Sequence, residues 1–111
     1  MPMPVDPLSL KLQALSDPTR RAILARLKTG EATVNELAQP FAITLPAISK
    51  HIKVLETAGL ITRSRNAQQR PCKLSTHGLK QVDDWMNSYR EMWEQRLDRL
   101  ETYLSKIQEE K

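Results

Sequence analysis

Two short segments carry the residue types with the most chemistry to offer. Thr44-Leu45-Pro46-Ala47-Ile48-Ser49-Lys50-His51-Ile52-Lys53 sets hydroxyls, small groups and two lysines into a helical period, and Arg63, Arg65 and Arg70 flank a polar tip that includes Gln68. Cations and hydroxyls without an intervening acid suit a polyanion: Lys and Arg meet phosphates, while Ser and Thr reach phosphates or base edges. Catalysis has far less support. There is no Gly-rich phosphate loop, no Cys/His pair at short spacing and no serine elbow. Asp83 and Asp84 are adjacent, so on a helix they point about 100° apart and make a poor acid/base pair. One cysteine and two histidines form no disulfide framework and leave few soft metal ligands. The sequence therefore reads as a non-enzyme with no cofactor and no metal.

The chain that must position these residues has 111 of them, enough for one domain and too few for a TIM barrel or a two-domain dinucleotide enzyme. Leu, Ile, Val and Phe supply 26 residues, which is enough for a folded core. The net charge of +4 is unevenly placed: residues 1–80 carry 12 Lys/Arg against 5 Asp/Glu, and residues 81–111 carry 5 against 8. A basic working part and an acidic-leaning tail follow from that split. Four of the five aromatics, Trp85, Tyr89, Trp93 and Tyr103, lie in the tail, whereas a protein that stacks single-stranded bases would interleave them with its cations. No apolar run approaches the ~18 residues of a membrane span, and Met1 to Pro7 lacks the pattern of a signal peptide. The expected setting is the cytoplasm, with no membrane partner.

Local signals divide the chain into five helices and a hairpin. Residues 1–7, with three prolines, read as a loose arm, and Leu8, Leu12 and Leu15 then recur at helical spacing. Asp17-Pro18 starts a second helix with Ile23, Leu24 and Leu27 on its apolar face, ended by Thr29-Gly30. Thr33 with Glu36 forms a capping box for a short helix from Val34 to Gln39, which Pro40 stops. Thr44 caps a fourth helix that runs to Gly59. The third and fourth helices make a helix-turn-helix. With Ile48, Ile52 and Leu55 inward, helical geometry turns Pro46, Lys50, Lys53 and Thr57 outward, with Ala47 and Ser49 at the flanks. Leu60 to Arg65 and Arg70 to Leu74 read as two strands around Asn66-Ala67-Gln68-Gln69, with Pro71 confining its strand to an edge or an irregular pairing. Ser75 or Thr76 caps a last helix whose apolar positions, Leu79, Val82, Met86, Tyr89, Trp93, Leu97, Leu100, Leu104 and Ile107, step by three and four. Such a helix is about 45 Å long at ~1.5 Å per residue and overhangs a core built from the rest of the chain, so a second copy is the simplest cover for its seam.

Taken together, three segments resemble the ArsR family of winged-helix transcriptional regulators: Leu15-Ser16-Asp17-Pro18-Thr19-Arg20-Arg21-Ala22-Ile23-Leu24, Ser49-Lys50-His51-Ile52-Lys53-Val54-Leu55-Glu56-Thr57-Ala58-Gly59-Leu60-Ile61, and Pro71-Cys72-Lys73-Leu74. The resemblance extends over roughly residues 8–100. It implies a homodimer on a pseudo-palindromic operator in double-stranded DNA, usually a repressor released by a signal, with Thr44 to Thr57 as recognition helix and Arg63 to Arg70 as wing. Metal sensing does not carry over. Thr33 and Asn35 stand where metal-sensing members have cysteines, and a hydroxyl and an amide are poor ligands for thiophilic ions. The last helix lacks the family's other carboxylate and histidine set, His77 being its one histidine.

The fold expected is mainly α: a winged helix-turn-helix with a two-stranded β-wing, divided into an arm (1–7), the helix-turn-helix and wing (8–76) and a C-terminal dimerisation helix (77–111). Lys50, Lys53, Arg65 and Arg70 are the expected phosphate or groove contacts, with Arg63 and Gln68 on the wing. Thr44, Leu45, Pro46 and Ser49 are the expected base-edge contacts. His51 either donates to a phosphate or is half-buried helix. The expected dimer interface comprises Leu8, Leu12, Val82, Met86, Tyr89, Trp93, Leu97 and Leu100. Cys72 is either a small core thiol or, with Trp85, Met86 and Tyr89, part of an apolar effector pocket. The effector itself is unknown. The rival reading is a dimeric protein-interaction module whose long helix docks a partner, its basic surface being incidental.

Overall fold

Each helix begins where a short polar side chain takes a free first-turn amide. In the computed structural model, which describes residues 6–65 and 68–110, the elements are α1 (Pro7–Leu15), α2 (Pro18–Leu27), α3 (Val34–Ala38), α4 (Leu45–Thr57), β1 (Ile61–Arg63), β2 (Cys72–Leu74) and α5 (Thr76–Glu109). Asp6, Asp17, Thr33, Thr44 and Ser75 accept from the backbone N–H of Ser9, Arg20, Glu36, Ala47 and Gly78, at 2.9–3.3 Å. The Thr33–Glu36 capping box is formed in both directions. Asp6 also moves one expected boundary. Its cap, with Pro7 at the first helical position, brings Pro7 out of the arm and into α1, while residues 1–5 of the arm lie outside the described residues.

Ile23, Leu24 and Leu27 of α2, Leu37 of α3, and Ile48, Ile52 and Leu55 of α4 pack into one core with Leu60, Ile61 and Cys72. The corner between α1 and α2 is closed by two guanidinium groups. Arg20 donates from Nε to the Ala14 carbonyl (2.7 Å) and from Nη2 to that of Gln13 (3.0 Å), and Arg21 donates from Nη1 to Leu15 (2.7 Å). The Ala14 and Leu15 carbonyls lie past the last intrahelical donors of α1, and that of Gln13 is shared with the N–H and hydroxyl of Ser16.

The hairpin is shorter than its sequence pattern. β1 and β2 run antiparallel with Ile61 opposite Leu74, Thr62 opposite Lys73 and Arg63 opposite Cys72. Beyond them Ser64 N–H donates to the Pro71 carbonyl (3.0 Å), and Pro71, without an N–H, cannot return the bond, so the ladder stops. On the other side of β2, Cys72 exchanges both backbone bonds with Ala32, at 2.8 and 3.1 Å. The wing is thereby tied at Cys72 to the start of α3, which covers that one position of the β2 edge.

At the end of α4 the chain reverses through Gly59, whose φ of +80° is accessible to glycine at no steric cost. The first turn of α5 lies directly on this reversal, so a Cβ added at Gly78 would overlap the Gly59 carbonyl. From the other side Lys11 of α1, only 5% exposed, lays its ammonium over Gly59. A cation there faces the negative end of the α4 dipole. Sequence pattern gave no sign of this buried lysine. α5 then runs for 34 residues, about 51 Å, leaving the domain after Val82.

Because backbone, not a flexible side chain, meets Gly78, Gly78→Ala is expected to lower unfolding free energy by about 1–3 kcal/mol, the usual range for overpacking. Urea titration of both proteins checks this; an unchanged midpoint would show that the α4–α5 contact yields freely.

Candidate nucleic-acid interface

The outward side of α4 is built as its periodicity requires. Ile48, Ile52 and Leu55 are fully enclosed, while Pro46, Ser49, Lys50, Lys53 and Thr57 are exposed and Ala47 is half-buried at the flank. Thr44 and Leu45, at the start of the helix, are exposed as well, although the Thr44 hydroxyl is engaged as the cap of α4. Six of the expected contact residues are thus on one helix and a seventh caps it, and those turned to solvent include two ammonium groups and no carboxylate.

His51 is placed differently. It is half-buried on the side of α4 that faces α2, where Arg20 Nη1 lies 3.3 Å from its Nδ1 and Asp17 3.9 Å away. Arg20 therefore touches α1, α2 and α4 together. Asp17 is held below the usual carboxylate range chiefly by the Arg20 N–H it accepts, helped by the charges of His51 and Arg20 and opposed by partial desolvation.

On the wing, Arg63, Arg65 and Arg70 are brought near one another around a cleft of about 490 Å³ that also meets His77 and Ser75 at the start of α5. Two of the three arginines have other engagements. Arg63 Nε donates to the Arg70 carbonyl (3.2 Å), and Arg70, in a left-handed conformation (φ 43°), turns its guanidinium to within 4.0 Å of Glu56. The wing sequence contains no acid, but α4 supplies one. Arg65 and Gln68 are exposed, and Asn66 and Ala67 of the expected tip lie outside the described residues.

The expected effector pocket is not assembled. Cys72 is fully enclosed between β1 and the Ala32 bridge and so has no surface with which to line a cavity, whereas Trp85, Met86 and Tyr89 stand exposed on α5. Burial pushes the Cys72 thiol up, against a weaker pull from Arg63, which keeps it protonated and unreactive near neutrality. It is a core thiol. Trp85 and Tyr89 pack on each other instead, ring centroids 5.6 Å apart and planes tilted by 58°. Around them Met86, Trp93, Leu97 and Leu100 are at least 40% exposed, Leu12 of α1 is exposed, and Leu8 and Val82 are half-buried. Among the described residues no group of three His, Cys, Asp or Glu side chains could hold a metal ion, and no helix is long and apolar enough to cross a membrane.

Comparison with known proteins agrees with this geometry. A helix-turn-helix domain family matches residues 15–64. The transcriptional repressor SdpR of Bacillus subtilis is 39% identical over 77 residues, covering 69% of this chain and 86% of that protein. A crystal structure of an ArsR family transcriptional regulator matches with a TM-score of 0.73 at 43% identity, over 80% of this chain and 98% of that one. A homodimeric winged helix-turn-helix DNA-binding domain from Mycobacterium bovis, a possible ArsR-family regulator, shares the fold at 20% identity, with a TM-score of 0.61 over 85% of this chain and 84% of that one.

The Asp17 corner makes stability depend on pH with a defined sign. A carboxylate depressed in the folded state stabilises above its unfolded pKa of about 3.9, and that contribution fades as pH falls through the folded value. Asp17→Asn keeps an oxygen to accept the Arg20 N–H but removes the charge. Urea unfolding from pH 7 to pH 3 should therefore show a shallower acid loss in Asp17→Asn than in the wild type, where Asp6 and Glu36 are depressed in the same way. Parallel curves would dissociate Asp17 from the acid sensitivity.

Proposed function

The chain belongs to the ArsR family of winged helix-turn-helix transcriptional regulators, and we propose that it acts as a homodimeric repressor of a pseudo-palindromic operator, released by a signal other than a metal ion. Proteins of this family regulate transcription by binding DNA and are not enzymes. The observation that carries the proposal is the outward side of α4, where Ser49, Lys50, Lys53 and Thr57 stand exposed with no acid among them. Small groups permit close approach to a major groove, Ser and Thr reach base edges, and Lys meets phosphate. In this reading Thr44, Leu45, Pro46 and Ser49 read bases, Lys50, Lys53, Arg65 and Gln68 contact backbone or groove, and Arg63 and Arg70 shape the wing.

The exposed apolar side of α5 supports the homodimer. A single protomer leaves Met86, Tyr89, Trp93, Leu97 and Leu100 in water, and the M. bovis relative with this fold is homodimeric. Two recognition helices would then meet major grooves about 34 Å apart, with half-site centres roughly 10–10.5 bp from each other. Thr33 and Asn35, at the start of α3, support a non-metal signal, since neither offers a thiolate.

Binding to a random duplex as a function of salt tests the DNA-binding reading directly. A dimer in register with DNA loses affinity steeply as salt rises, and Lys53→Ala should reduce the log–log slope by about one per protomer while weakening all sequences alike. Ser49→Ala should instead change which operators are preferred, as seen by footprinting of the DNA adjoining the coding region. A dimer with no salt-sensitive affinity for any duplex would favour a protein-docking role for α5.

Leu97→Glu places a charge in the centre of the α5 seam. Sedimentation should show it as a monomer at concentrations where the wild type is dimeric, with affinity for two-half-site DNA lost and helical circular dichroism reduced by no more than the contribution of the tail beyond Val82. A dimeric Leu97→Glu protein would move the interface elsewhere.

A further inference from the structure

The second side of α2 carries a feature outside the residues assigned above to DNA contact and to the dimer interface. Arg21, Ala25 and Lys28 fall at i, i+4 and i+7, on one stripe of the helix, and all three are exposed. That stripe borders a cleft of about 270 Å³ whose apolar walls are Leu15, Leu24, Leu74 and Leu79, drawn from the α1 end, α2, β2 and the first turn of α5. Its volume lies a little below the ~300–1,000 Å³ of drug-sized sites, so it suits a smaller ligand. The cleft has apolar walls and two cations, and among the described residues no carboxylate lines it. Arg21 uses one N–H on the Leu15 carbonyl, which fixes the guanidinium in place and leaves its other donors over.

We propose that the cleft between α2, β2 and α5 is an effector site for a small amphipathic organic acid, its hydrocarbon part against Leu15, Leu24, Leu74 and Leu79 and its carboxylate on Arg21 and Lys28. The position gives occupancy a consequence, which rests on the DNA-binding reading above. Leu74 and Leu79 bracket the four residues, 75–78, that lead from β2 into α5, and within them Gly78 already touches the Gly59 backbone with no space between them. A ligand wedged against Leu79 is therefore opposed by backbone contact at the end of α4. It shifts α5 relative to the recognition helix instead of being absorbed by a loose side chain.

Amide chemical-shift mapping of the full chain, with hexanoate as probe and 1-hexanol as its uncharged counterpart, tests the site. The expected result is saturable shifts at Ala25, Lys28, Leu74 and Leu79 with hexanoate, about two- to fivefold tighter than with 1-hexanol, the difference expected of a partly exposed charge pair. Lys28→Gln should lose a similar factor, and Ala25→Phe, which fills the cleft from the exposed side of α2, should abolish the shifts; both should keep the wild-type melting temperature and duplex affinity. Hexanoate should weaken binding of a fluorescein-labelled duplex by the wild type and not by Ala25→Phe.

Absence of saturable shifts, or equal affinity for the acid and the alcohol, overturns the site. So does the finding that these amides move on dilution through the monomer–dimer transition and not with hexanoate, which would make a second copy of the chain the occupant. Hexanoate binding with unchanged duplex affinity overturns the regulatory step. A wild type that binds no duplex refutes the operator reading instead, and the amide shifts still decide the site.

Discussion

The contact between Gly59 and Gly78 is the constraint on which the arrangement turns. It joins the last residues of the recognition helix to the first turn of the long helix through backbone alone, with Lys11 closing the third side. Side-chain contacts between helices leave room for rotamer adjustment; two backbones in contact leave almost none. The direction of α5 is therefore set by where α4 ends. In the proposed homodimer, α5 determines where the partner lies, so the same contact fixes the distance between two reading heads. Any influence that moves α5 at its root changes that distance, and this is why a cleft bordered by Leu79 is well placed for control.

Charge in the reading head is more committed than its formal excess suggests. Arg20 and Arg21 serve the carbonyls at the end of α1, Arg26 lies 3.8 Å from Glu36, and Lys11 is enclosed over Gly59. Arg70 leans toward Glu56. Among the described residues, the cations of the interface that remain turned to solvent without such partners are Lys50, Lys53 and Arg65. A few cations in fixed positions favour a protein that reads its site over one that holds any polyanion, because each phosphate contact adds affinity without sequence information.

The starts of α2, α3 and α4 were legible because capping is local chemistry: a Thr or Asp three residues before the amide it accepts from needs no tertiary context, whereas the Asp6 cap of α1 was hidden among residues whose three prolines read as an arm. The apolar faces of α2 and α4 were legible for the same reason of period. Pro71 was half legible; its missing N–H does end the ladder, but the Ala32 bridge that covers β2 at Cys72 joins residues 40 apart, which no local pattern records. Lys11, the Arg20–His51 contact and the Glu56–Arg70 pair were invisible for that reason too. Cys72 shows the limit from the other side. Its type suited either a buried thiol or a pocket wall, and only the enclosing of β2 between β1 and Ala32 decided between them.

The long helix cannot be explained by its own chain. On its polar side Lys80 pairs with Asp84 at 3.0 Å and Asp83 with Arg90 at 2.6 Å. Exposed helix pairs of this kind contribute about 0.2–0.5 kcal/mol each, too little to offset a backbone ordering cost of ~1–2 kcal/mol per residue over the part of α5 that leaves the domain. On its apolar side Trp93 is 60% exposed and Leu100 51%. Order in this part of α5 must therefore come from whatever covers that side. If the cover is a second copy, ordering of the tail and association are a single equilibrium, and a protomer separated from its partner loses both the tail's helical order and the spacing of the reading heads. Regulation could then act at the root of α5 with a small displacement, since the cooperative loss of the paired tail would supply the larger change.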